Sequence, residues 1–539
     1  GRPLFLPLLA AEFSFSPSNE RIVPAPPPTR AQIRQALRGG CDVLVIGGGI
    51  TGAGVALDAA TRGYRVALVD RRDFAGGTSS RSTKLVHGGL RYLPQWQFGL
   101  VREALVERER LRRLAPALVR PLALLVPLYA DTLRPLGIRI PAALRALAPM
   151  ALRAGLWGYD TLSRTDLVHR ALRTAEATSL VPAVRVEGLR AAFLYHDAQT
   201  DDVLLTHAVL ATARRHGALT LNHCEVRGLA MGRPARVMLT DRLDGTSYEV
   251  TARHVVNAAG IWAEEVAALA GTVPFRIERS KGIHLVLDGA ELFGSTALVI
   301  PETDDGRLAF AVPWYGRVLL GTTDESYAGN PDGPVATAAE ARYLLTHLSR
   351  YLRHPVSRSM VISAFAGLRP LVRRREARSA ELSRSHEVVH HACGLVSIVG
   401  GKLTTYRQMA EDTVDVLVRR DGRREACRTT DLALDDRDAA IQALIAADPA
   451  LARPLVAGLP VRAAEVVHAC RMEQCVDLAD FMFSRSHLAV LDRDHGLGCV
   501  DDVAALMARD LGWAAEETAR QVRSYRERIA AETAFLAAL

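Results

Sequence analysis

A glycine cluster near the start of the chain has the residue types and spacing needed to bind a dinucleotide. Residues 47–52 read GGGITG, which fits G-x-G-x-x-G, after an apolar strand and before a helical segment. Gly47 permits a tight turn, Gly49 lets the backbone approach a pyrophosphate, and Gly52 lets helix and strand pack closely. Asp70 ends the next strand, where its carboxylate is expected to accept hydrogen bonds from ribose hydroxyls. The pattern favours a nucleotide cofactor, because the helix N-terminus then faces the phosphates.

Three separated segments in which the backbone can come close to a cofactor favour FAD over NAD. The first is the small, polar and basic loop 71–93, RRDFAGGTSSRSTKLVHGGLRYL. The second is the strand end 255–262, VVNAAGIW, and the third is 400–406, GGKLTTY. The glycines of the third open a helix whose amides could stabilise negative charge on a reduced flavin. Beyond the glycine cluster and Asp70, the predicted FAD-binding residues are Thr78, Ser79, Ser80, Ser82, Lys84, Leu85, His87, Gly88, Ala259, Gly260, Gly401, Lys402, Leu403 and Thr404.

The elements that must position these residues alternate between strand and helix patterns. The predicted fold is α/β: a Rossmann-like FAD-binding domain interleaved with a mixed α+β substrate domain, plus an α-helical C-terminal domain. Thr29 is the predicted N-cap of a first short helix. The predicted boundaries are 1–28 for a disordered leader, 29–420 for the two interleaved domains and 430–539 for the helical domain. Within 29–420, the FAD-binding pieces are about 40–110, 190–265 and 360–420, and the substrate- and membrane-facing pieces are about 111–189 and 266–359.

The excess of basic over acidic residues indicates which kind of molecule the protein binds. The 539 residues include 67 Lys and Arg against 59 Asp and Glu, a formal net charge of +8. This balance favours anionic partners such as phosphorylated substrates or acidic lipid surfaces. No nucleic-acid partner is expected, because the basic residues are scattered and no nucleic-acid-binding motif is present.

Cysteine usage and hydropathy favour a cytoplasmic protein without a structural metal. The seven Cys residues are sparse and contain no C-x-x-C motif, so all are predicted to be reduced thiols. Cys470 and Cys475 form an isolated pair, too little for a metal site. No apolar run approaches the roughly 18 residues that a transmembrane helix needs.

Several runs together resemble one family, the FAD-dependent glycerol-3-phosphate dehydrogenases. The resemblance extends from about residue 30 to 420 and more weakly through the C-terminal part. Amine and hydroxy-acid oxidases share the glycine and NAAG-type motifs, but not the whole set. The matching runs, in the same order, are VIGGGITGAGVALDAATRG, TSSRSTKLVHGGLRYL, NAAGIWA, SKGIHLVL, LLGTTD, AGLRPL and GGKLTTYR.

The resemblance implies oxidation of the middle carbinol of sn-glycerol 3-phosphate to give dihydroxyacetone phosphate. The phosphate would be bound by Arg91, Arg369 and Lys402, assisted by Tyr92, since guanidinium forks match phosphate oxygens. His284, in SKGIHLVL, is the candidate base for the hydroxyl proton. His87 is its rival, and Arg369 is a further candidate for orienting the reacting hydroxyl.

The resemblance also implies a membrane quinone as electron acceptor. The Arg-punctuated apolar segment 118–163 suits a contact with an acidic membrane surface, which would place the protein peripherally on the inner face of the cell membrane. A buried helical pair between domains is the alternative for this segment. A homodimer is also compatible with the sequence. The residues named for the lipid contact are Arg120, Arg134, Arg139, Arg145, Arg153, Trp157 and Tyr159.

Other functions are compatible with the sequence. The basic run Arg373–Arg375 departs from the family pattern after AGLRPL, and a solvated loop is expected there. An oxidase of glycerol phosphate, a hydroxy acid or an amine would produce hydrogen peroxide instead of reducing quinone. A non-catalytic flavin-binding protein would be marked by loss of the substrate cations, whereas Arg91, Arg369 and Lys402 are present. A nucleic-acid-modifying flavoprotein is motivated by the basic charge alone.

Overall fold

A computed structural model describes residues 26–132, 146–163, 165, 167–374 and 386–539. The predicted leader, 1–28, lies outside the described residues apart from 26–28. The strands are β1 Cys41–Ile46, β2 Val66–Val69, β3 Leu85–Val86, β4 Arg120–Tyr129, β5 Arg170–Leu172, β6 Leu189–Gln199, β7 Leu219–Leu221, β8 Cys224–Ala230, β9 Ala235–Asp241, β10 Ser247–Asn257, β11 Phe275–Leu287, β12 Ala297–Ile300, β13 Ala309–Trp314, β14 Arg317–Gly321, β15 Glu325–Ser326, β16 Val361–Arg374, β17 His386–His390 and β18 Val396–Gly400. The helices are α1 Arg30–Leu37, α2 Ile50–Thr61, α3 Phe98–Leu114, α4 Ala148–Ser163, α5 Thr174–Leu180, α6 Asp202–Arg215, α7 Ala263–Leu269, α8 Ala338–Ser349, α9 Tyr406–Arg420, α10 Arg437–Ala447, α11 Ala463–Met472, α12 Leu478–Asp480, α13 Leu488–Leu491, α14 Val500–Leu511 and α15 Ala515–Thr533.

The first sheet has the topology of a doubly wound nucleotide-binding domain. Among the described residues it has eight strands, in the order β17-β18-β10-β1-β2-β7, with the β8-β9 hairpin attached to β10. Strands β18, β10, β1, β2 and β7 are parallel. A parallel strand covered on both faces must be apolar, and Val43, Leu44 and Val45 of β1 are fully buried. The predicted Rossmann-like fold is confirmed.

The second sheet carries the candidate substrate residues. Its ten strands in the described ranges follow the order β15-β11-β14-β13-β12-β4-β6-β3, with β16 paired to β11 and β5 to β6. The antiparallel β11–β16 pair places Ser280 opposite Arg369 and His284 opposite Phe365. Strands β6 and β16 come from segments that the sequence assigns to the FAD-binding domain, so this sheet draws on both predicted domains. The domain boundaries themselves stay a prediction.

Helices α10–α15 complete the predicted α/β fold with a helical C-terminal part. They share one hydrophobic core with the second sheet, since Phe481 and Tyr525 belong to the same buried cluster as Leu124 of β4. The helical turn Phe481–Arg485, between α12 and α13, contacts the loop after β2 through a buried ion pair, in which Arg485 donates to both oxygens of Asp73 at 2.5 and 3.0 Å. Removing one partner of such a pair costs about 3–5 kcal/mol, because the other charge stays buried.

The structure corrects part of the predicted lipid-facing segment 118–163. Strand β4 is an interior strand of the second sheet, with Leu124 and Leu125 fully buried. Tyr159 is also buried, whereas Trp157 is 67% exposed. A buried strand and a lipid-facing surface can have the same apolar sequence, so the sequence pattern alone could not distinguish these two structures. Arg134, Arg139 and Arg145 lie outside the described residues.

The basic run Arg373–Arg375 is a second correction. Strand β16 continues through Arg374, so Arg373 belongs to a sheet and not to a loop. Its guanidinium pairs with Glu278 across the strands at 2.9 Å. Arg375 lies outside the described residues.

Candidate active site

A cavity of about 650 Å³ lies between the glycine turn of the first sheet and the inner strands of the second. This volume is in the usual range for a cofactor or ligand site. It brings together residues from five separate segments of the sequence. The predicted residues on its wall are Gly47, Gly49, Asp70, Thr78, Ser79, Ser82, Leu85, His87, Tyr92, Ala259, Gly260, Arg369, Gly401, Lys402 and Leu403.

The three motif glycines have different physical roles. Gly47 has φ +113°, and a Cβ there would lie 2.6 Å from the Ala258 carbonyl oxygen. A Cβ at Gly52 would lie 1.8 Å from the Gly47 carbonyl oxygen, so this glycine permits the turn and helix α2 to touch. At Gly49 the nearest atom to a Cβ is Ser79 Oγ at 3.0 Å, and the residue faces the cavity. Gly47 and Gly52 therefore build the turn, whereas Gly49 keeps space clear for a ligand.

Asp70 holds the glycine turn against the end of β2. Its carboxylate accepts hydrogen bonds from Gly48 N at 2.6 Å and from Arg72 N at 2.8 Å. Burial raises the pKa of Asp70, and these two backbone donors offset part of that effect. The sequence predicts a ribose contact for Asp70, and its place on the cavity wall is compatible with one. That contact stays a prediction.

The cavity fits an extended FAD by the chemistry of its wall. The first turn of α2 begins at the cavity, where Ile50 N donates to Ser79 Oγ at 2.9 Å, so the positive end of the helix faces it. Trp262 and Val226 offer apolar surface on the cavity wall, and Arg71 lies over the Trp262 ring at 4.7 Å. At the third approach, Gly401 has φ +82°, a conformation that favours glycine. These segments would hold the pyrophosphate, an aromatic base and the flavin.

Five predicted FAD-binding residues lie behind the cavity wall and shape it. Lys84 is buried, forms an ion pair with Asp202 and donates to the Ser80 carbonyl oxygen at 3.0 Å. Gly88 N donates to the Tyr159 hydroxyl at 2.9 Å. Direct contact between FAD and these residues stays a prediction. The five residues are Gly52, Ser80, Lys84, Gly88 and Thr404.

Two positive side chains lie on the part of the wall that the second sheet supplies, Arg369 of β16 and Arg307 just before β13. The Arg369 guanidinium donates to Asp324 Oδ1 at 3.2 Å, to Thr322 Oγ1 at 3.0 Å and to the Thr323 carbonyl oxygen at 3.1 Å. Arg307 lies on the same wall and pairs with Asp324 at 3.6 Å. Two fixed guanidinium groups of this kind suit an anion such as phosphate.

Lys402 and Arg91 are the two other cations that the sequence predicts for phosphate binding. Lys402 Nζ lies 4.1 Å from the centroid of the Tyr92 ring, and both residues line the cavity. The Arg91 backbone forms part of the 3₁₀ turn Leu90–Gln95, while its side chain lies outside the described part of the structure.

His284 is close to the cavity but does not line it. The ring is 2% exposed and stacks on Phe365 with centroids 5.0 Å apart. It packs against Gly321, where a Cβ would lie 2.2 Å from the ring. Its Nε2 is 2.9 Å from Thr83 Oγ1, and Thr83 does line the cavity. Burial lowers the pKa of His284 well below 6.5, and the charges of Arg369 and Lys84 lower it further, so the imidazole is neutral near pH 7.

Sequence reasoning missed several residues of the wall. Thr83 lies within the family-like run TSSRSTKLVHGGLRYL and Asp324 ends the run LLGTTD, so both could have been found from the sequence. Asp197 accepts hydrogen bonds from Tyr159 Oη at 2.6 Å and Arg108 Nη1 at 2.7 Å, and so supports the Gly88 turn. Neither Asp197 nor Arg307 lies in a motif that was singled out.

One cluster in the described residues has the composition of a metal site. Ligand atoms of Asp73, His223 and Asp480 lie within 4.8 Å of one another. Arg485 already binds both oxygens of Asp73, which opposes a cation there. Cys470 and Cys475 are free thiols. The prediction of no metal is untested by this geometry.

Comparisons with known proteins agree with the site. Residues 42–407 match the family described as FAD dependent oxidoreductase, and 435–518 match the C-terminal domain of alpha-glycerophosphate oxidase. A protein of Mycobacterium bovis named glycerol-3-phosphate dehydrogenase 1 is 39% identical, over 85% of this chain and 93% of its own. Glycerol-3-phosphate dehydrogenase of Synechocystis is 33% identical, over 90% of this chain and 96% of its own.

A solved structure agrees in fold. Glycerol-3-phosphate dehydrogenase from Bacillus halodurans, complexed with FAD, superposes with a TM-score of 0.72 at 27% identity, over 93% of this chain and 97% of that one. L-alpha-glycerophosphate oxidase from Mycoplasma pneumoniae shares the fold with a TM-score of 0.56 at 16% identity, over 72% of this chain and 96% of that one. With the glycine turn, the cavity and the two matching family regions in one chain, the protein belongs to the FAD-dependent glycerol-3-phosphate dehydrogenase family.

Proposed function

We propose that the protein oxidises sn-glycerol 3-phosphate to dihydroxyacetone phosphate. The observation that carries the proposal is that fixed guanidinium groups on the cavity wall lie near a buried neutral imidazole. The cations suit the phosphate, and the imidazole suits the proton of the hydroxyl. When bound, FAD supplies the acceptor for the hydride. Family membership and the names of the relatives support the same substrate.

The phosphate is bound by charge and by fixed geometry. Arg369 is held on three sides by Asp324, Thr322 and the Thr323 carbonyl, so its fork is oriented before substrate arrives. Pre-orientation reduces the entropy lost on binding. Lys402 adds a point charge beside Tyr92, and Arg91 precedes Tyr92 in the chain. Arg307 joins this set as a cation on the same wall.

His284 accepts the hydroxyl proton because it is neutral and close. Its low pKa keeps the nitrogen lone pair available near pH 7. A bound phosphate near Arg369 offsets the positive charge that lowers this pKa, so substrate binding itself strengthens the base. His87 lines the cavity as well and stays the rival candidate.

Anaerobic reduction of the bound flavin tests the proposal directly. Holoenzyme mixed with sn-glycerol 3-phosphate should lose its visible flavin absorbance, while sn-glycerol 1-phosphate should leave it unchanged. An unbleached spectrum with sn-glycerol 3-phosphate would eliminate this substrate and move the search to hydroxy acids and amines. Failure to bind FAD on reconstitution would instead contradict the assignment of the cavity.

The acceptor in this proposal is a membrane quinone, reached at an acidic lipid surface on the inner face of the cell membrane. Its support is an apolar patch formed by Trp96, Phe98, Met150 and Trp157, which are 80%, 46%, 69% and 67% exposed. Helix α4 carries two of them and packs against the 3₁₀ turn that contributes Tyr92 to the cavity. Exposed arginines on α3 and α4 are suited to anionic headgroups. We call this set the apolar patch.

Within the described ranges, the helices are too short or too polar to cross a bilayer. An oxidase is the second candidate, because residues 435–518 match the C-terminal domain of alpha-glycerophosphate oxidase. Turnover with a short-chain quinone and without peroxide supports the dehydrogenase, whereas one peroxide for each substrate oxidised supports the oxidase.

A further inference from the structure

Among the residues that the structure describes, Thr83 has the one hydroxyl group that is hydrogen-bonded to His284. Thr83 Oγ1 and His284 Nε2 are 2.9 Å apart, a normal hydrogen-bond distance. Thr83 is half-buried and lines the cavity, whereas His284 is 2% exposed and does not. The hydroxyl therefore stands between the imidazole and the space where substrate would bind.

The surroundings of His284 close its other approaches. Phe365 covers one face of the ring, and Gly321 lies so close that a Cβ there would clash. Nδ1 is buried and has no hydrogen-bond partner in the described part of the chain. A substrate hydroxyl in the cavity would thus meet Thr83 before it met Nε2.

We propose that Thr83 is a catalytic residue, which passes the proton of the substrate hydroxyl to His284. This inference rests on the proposed function and assigns the route of its proton. A threonine hydroxyl can donate one hydrogen bond and accept two, so it can donate to Nε2 while accepting from the substrate.

The substrate C2 hydroxyl gives its proton to Thr83 Oγ1 as Thr83 gives its own proton to His284 Nε2. The C2–H bond breaks, and its hydrogen leaves with both electrons to the oxidised flavin. The C2–O bond becomes a carbonyl, Thr83 is regenerated as an alcohol, and His284 carries one extra proton. The nearby charges of Arg369 and Lys84 favour its later loss to solvent.

Thr83→Val tests the relay, because valine keeps the branched shape of threonine and removes the hydroxyl. At saturating sn-glycerol 3-phosphate, the single-turnover rate of flavin bleaching should fall about 10²-fold or more. FAD content and the dissociation constant for dihydroxyacetone phosphate should change less than about threefold. Thr83→Ser should restore most of the rate, since it restores the hydroxyl.

A double variant distinguishes the relay from a merely structural role. If Thr83 and His284 act on one proton path, Thr83→Val combined with His284→Asn should be no slower than the slower single variant. Additive losses would overturn the relay, and so would bleaching of Thr83→Val within about threefold of wild type. Should Thr83→Val fail to bind FAD, Thr83→Ala decides by the same rate criterion. Wild-type enzyme that is not bleached at all would refute the proposed function instead.

Discussion

Replacing Gly49 or Gly52 by alanine should separate cofactor binding from folding. Both residues belong to the same turn, but an added Cβ meets different surroundings. At Gly52 it would lie 1.8 Å from the Gly47 carbonyl oxygen, and this backbone atom cannot rotate away. At Gly49 it would lie 3.0 Å from Ser79 Oγ, which needs to move by only a few tenths of an ångström, and otherwise face the cavity. The backbone at Gly49 has φ −75° and ψ 178°, which alanine adopts without strain.

The expected magnitudes follow from these contacts. Gly52→Ala overpacks a backbone contact and should destabilise the apoprotein by about 3 kcal/mol, which is about 3 °C in Tm for a chain of this length. Gly49→Ala should leave the apoprotein Tm within about 1 °C. Its Cβ occupies pyrophosphate space, and losing two charge-assisted hydrogen bonds of about 1.5–3 kcal/mol each raises the FAD dissociation constant about 10²- to 10⁴-fold.

Thermal unfolding of the apoproteins and fluorescence titration with FAD measure the two effects separately. The reasoning is refuted if Gly49→Ala binds FAD as tightly as wild type. It is refuted equally if Gly49→Ala lowers the apoprotein Tm as much as Gly52→Ala does, because the turn would then depend on both glycines in the same way.

Three further outcomes are expected. Arg369→Ala should raise KM for sn-glycerol 3-phosphate at least about tenfold, because it loses a charge-assisted contact of about 1.5–3 kcal/mol. Arg373→Ala, on the same strand, should leave KM unchanged, and steady-state kinetics compares the two variants. Burial lowers the pKa of His207 from 6.5 to about 3, so the unfolded chain binds its proton first and stability falls as pH drops below 6.5. His207→Leu should therefore lose about 2 kcal/mol less than wild type between pH 8 and pH 5 in denaturant unfolding, and an equal loss would contradict that pKa. Trp157→Glu combined with Met150→Glu should abolish co-sedimentation with vesicles of anionic lipid without slowing anaerobic flavin bleaching; persistent binding would refute the apolar patch.

Local patterns could be read from the sequence because their causes are local. The Thr29 cap is confirmed, with a capping box to Gln32, since four consecutive residues determine it. The turn at Gly47 needs only its flanking strand and helix, and both are present. The general fold followed from such units, because right-handed βαβ connections leave few arrangements of a parallel sheet.

Pairings between distant segments could not be read in the same way. Lys84 stands in a loop that faces the cavity in part, yet its ion-pair partner Asp202 is 118 residues away in sequence. Arg307 is one arginine among many until β13 and β14 bring it beside Asp324. His284 was found through its motif, but its hydrogen bond with Thr83 appears only when β11 and the loop before β3 are placed together, because the two residues are 201 positions apart in sequence.

The C-terminal helices contribute to the site although they line none of the cavity in the described residues. Asp73 lies in the loop after β2, and two residues later Ala75 N donates to the Gly48 carbonyl oxygen at 3.0 Å. Burial raises the pKa of Asp73, but attraction to Arg485 outweighs it and keeps this carboxylate ionised. Asn222 also donates to Asp73, at 2.9 Å. Without Arg485 the Asp73 carboxylate would be a buried charge without its ion-pair partner. The loop that supports the glycine turn therefore depends on a residue 412 positions later in the sequence.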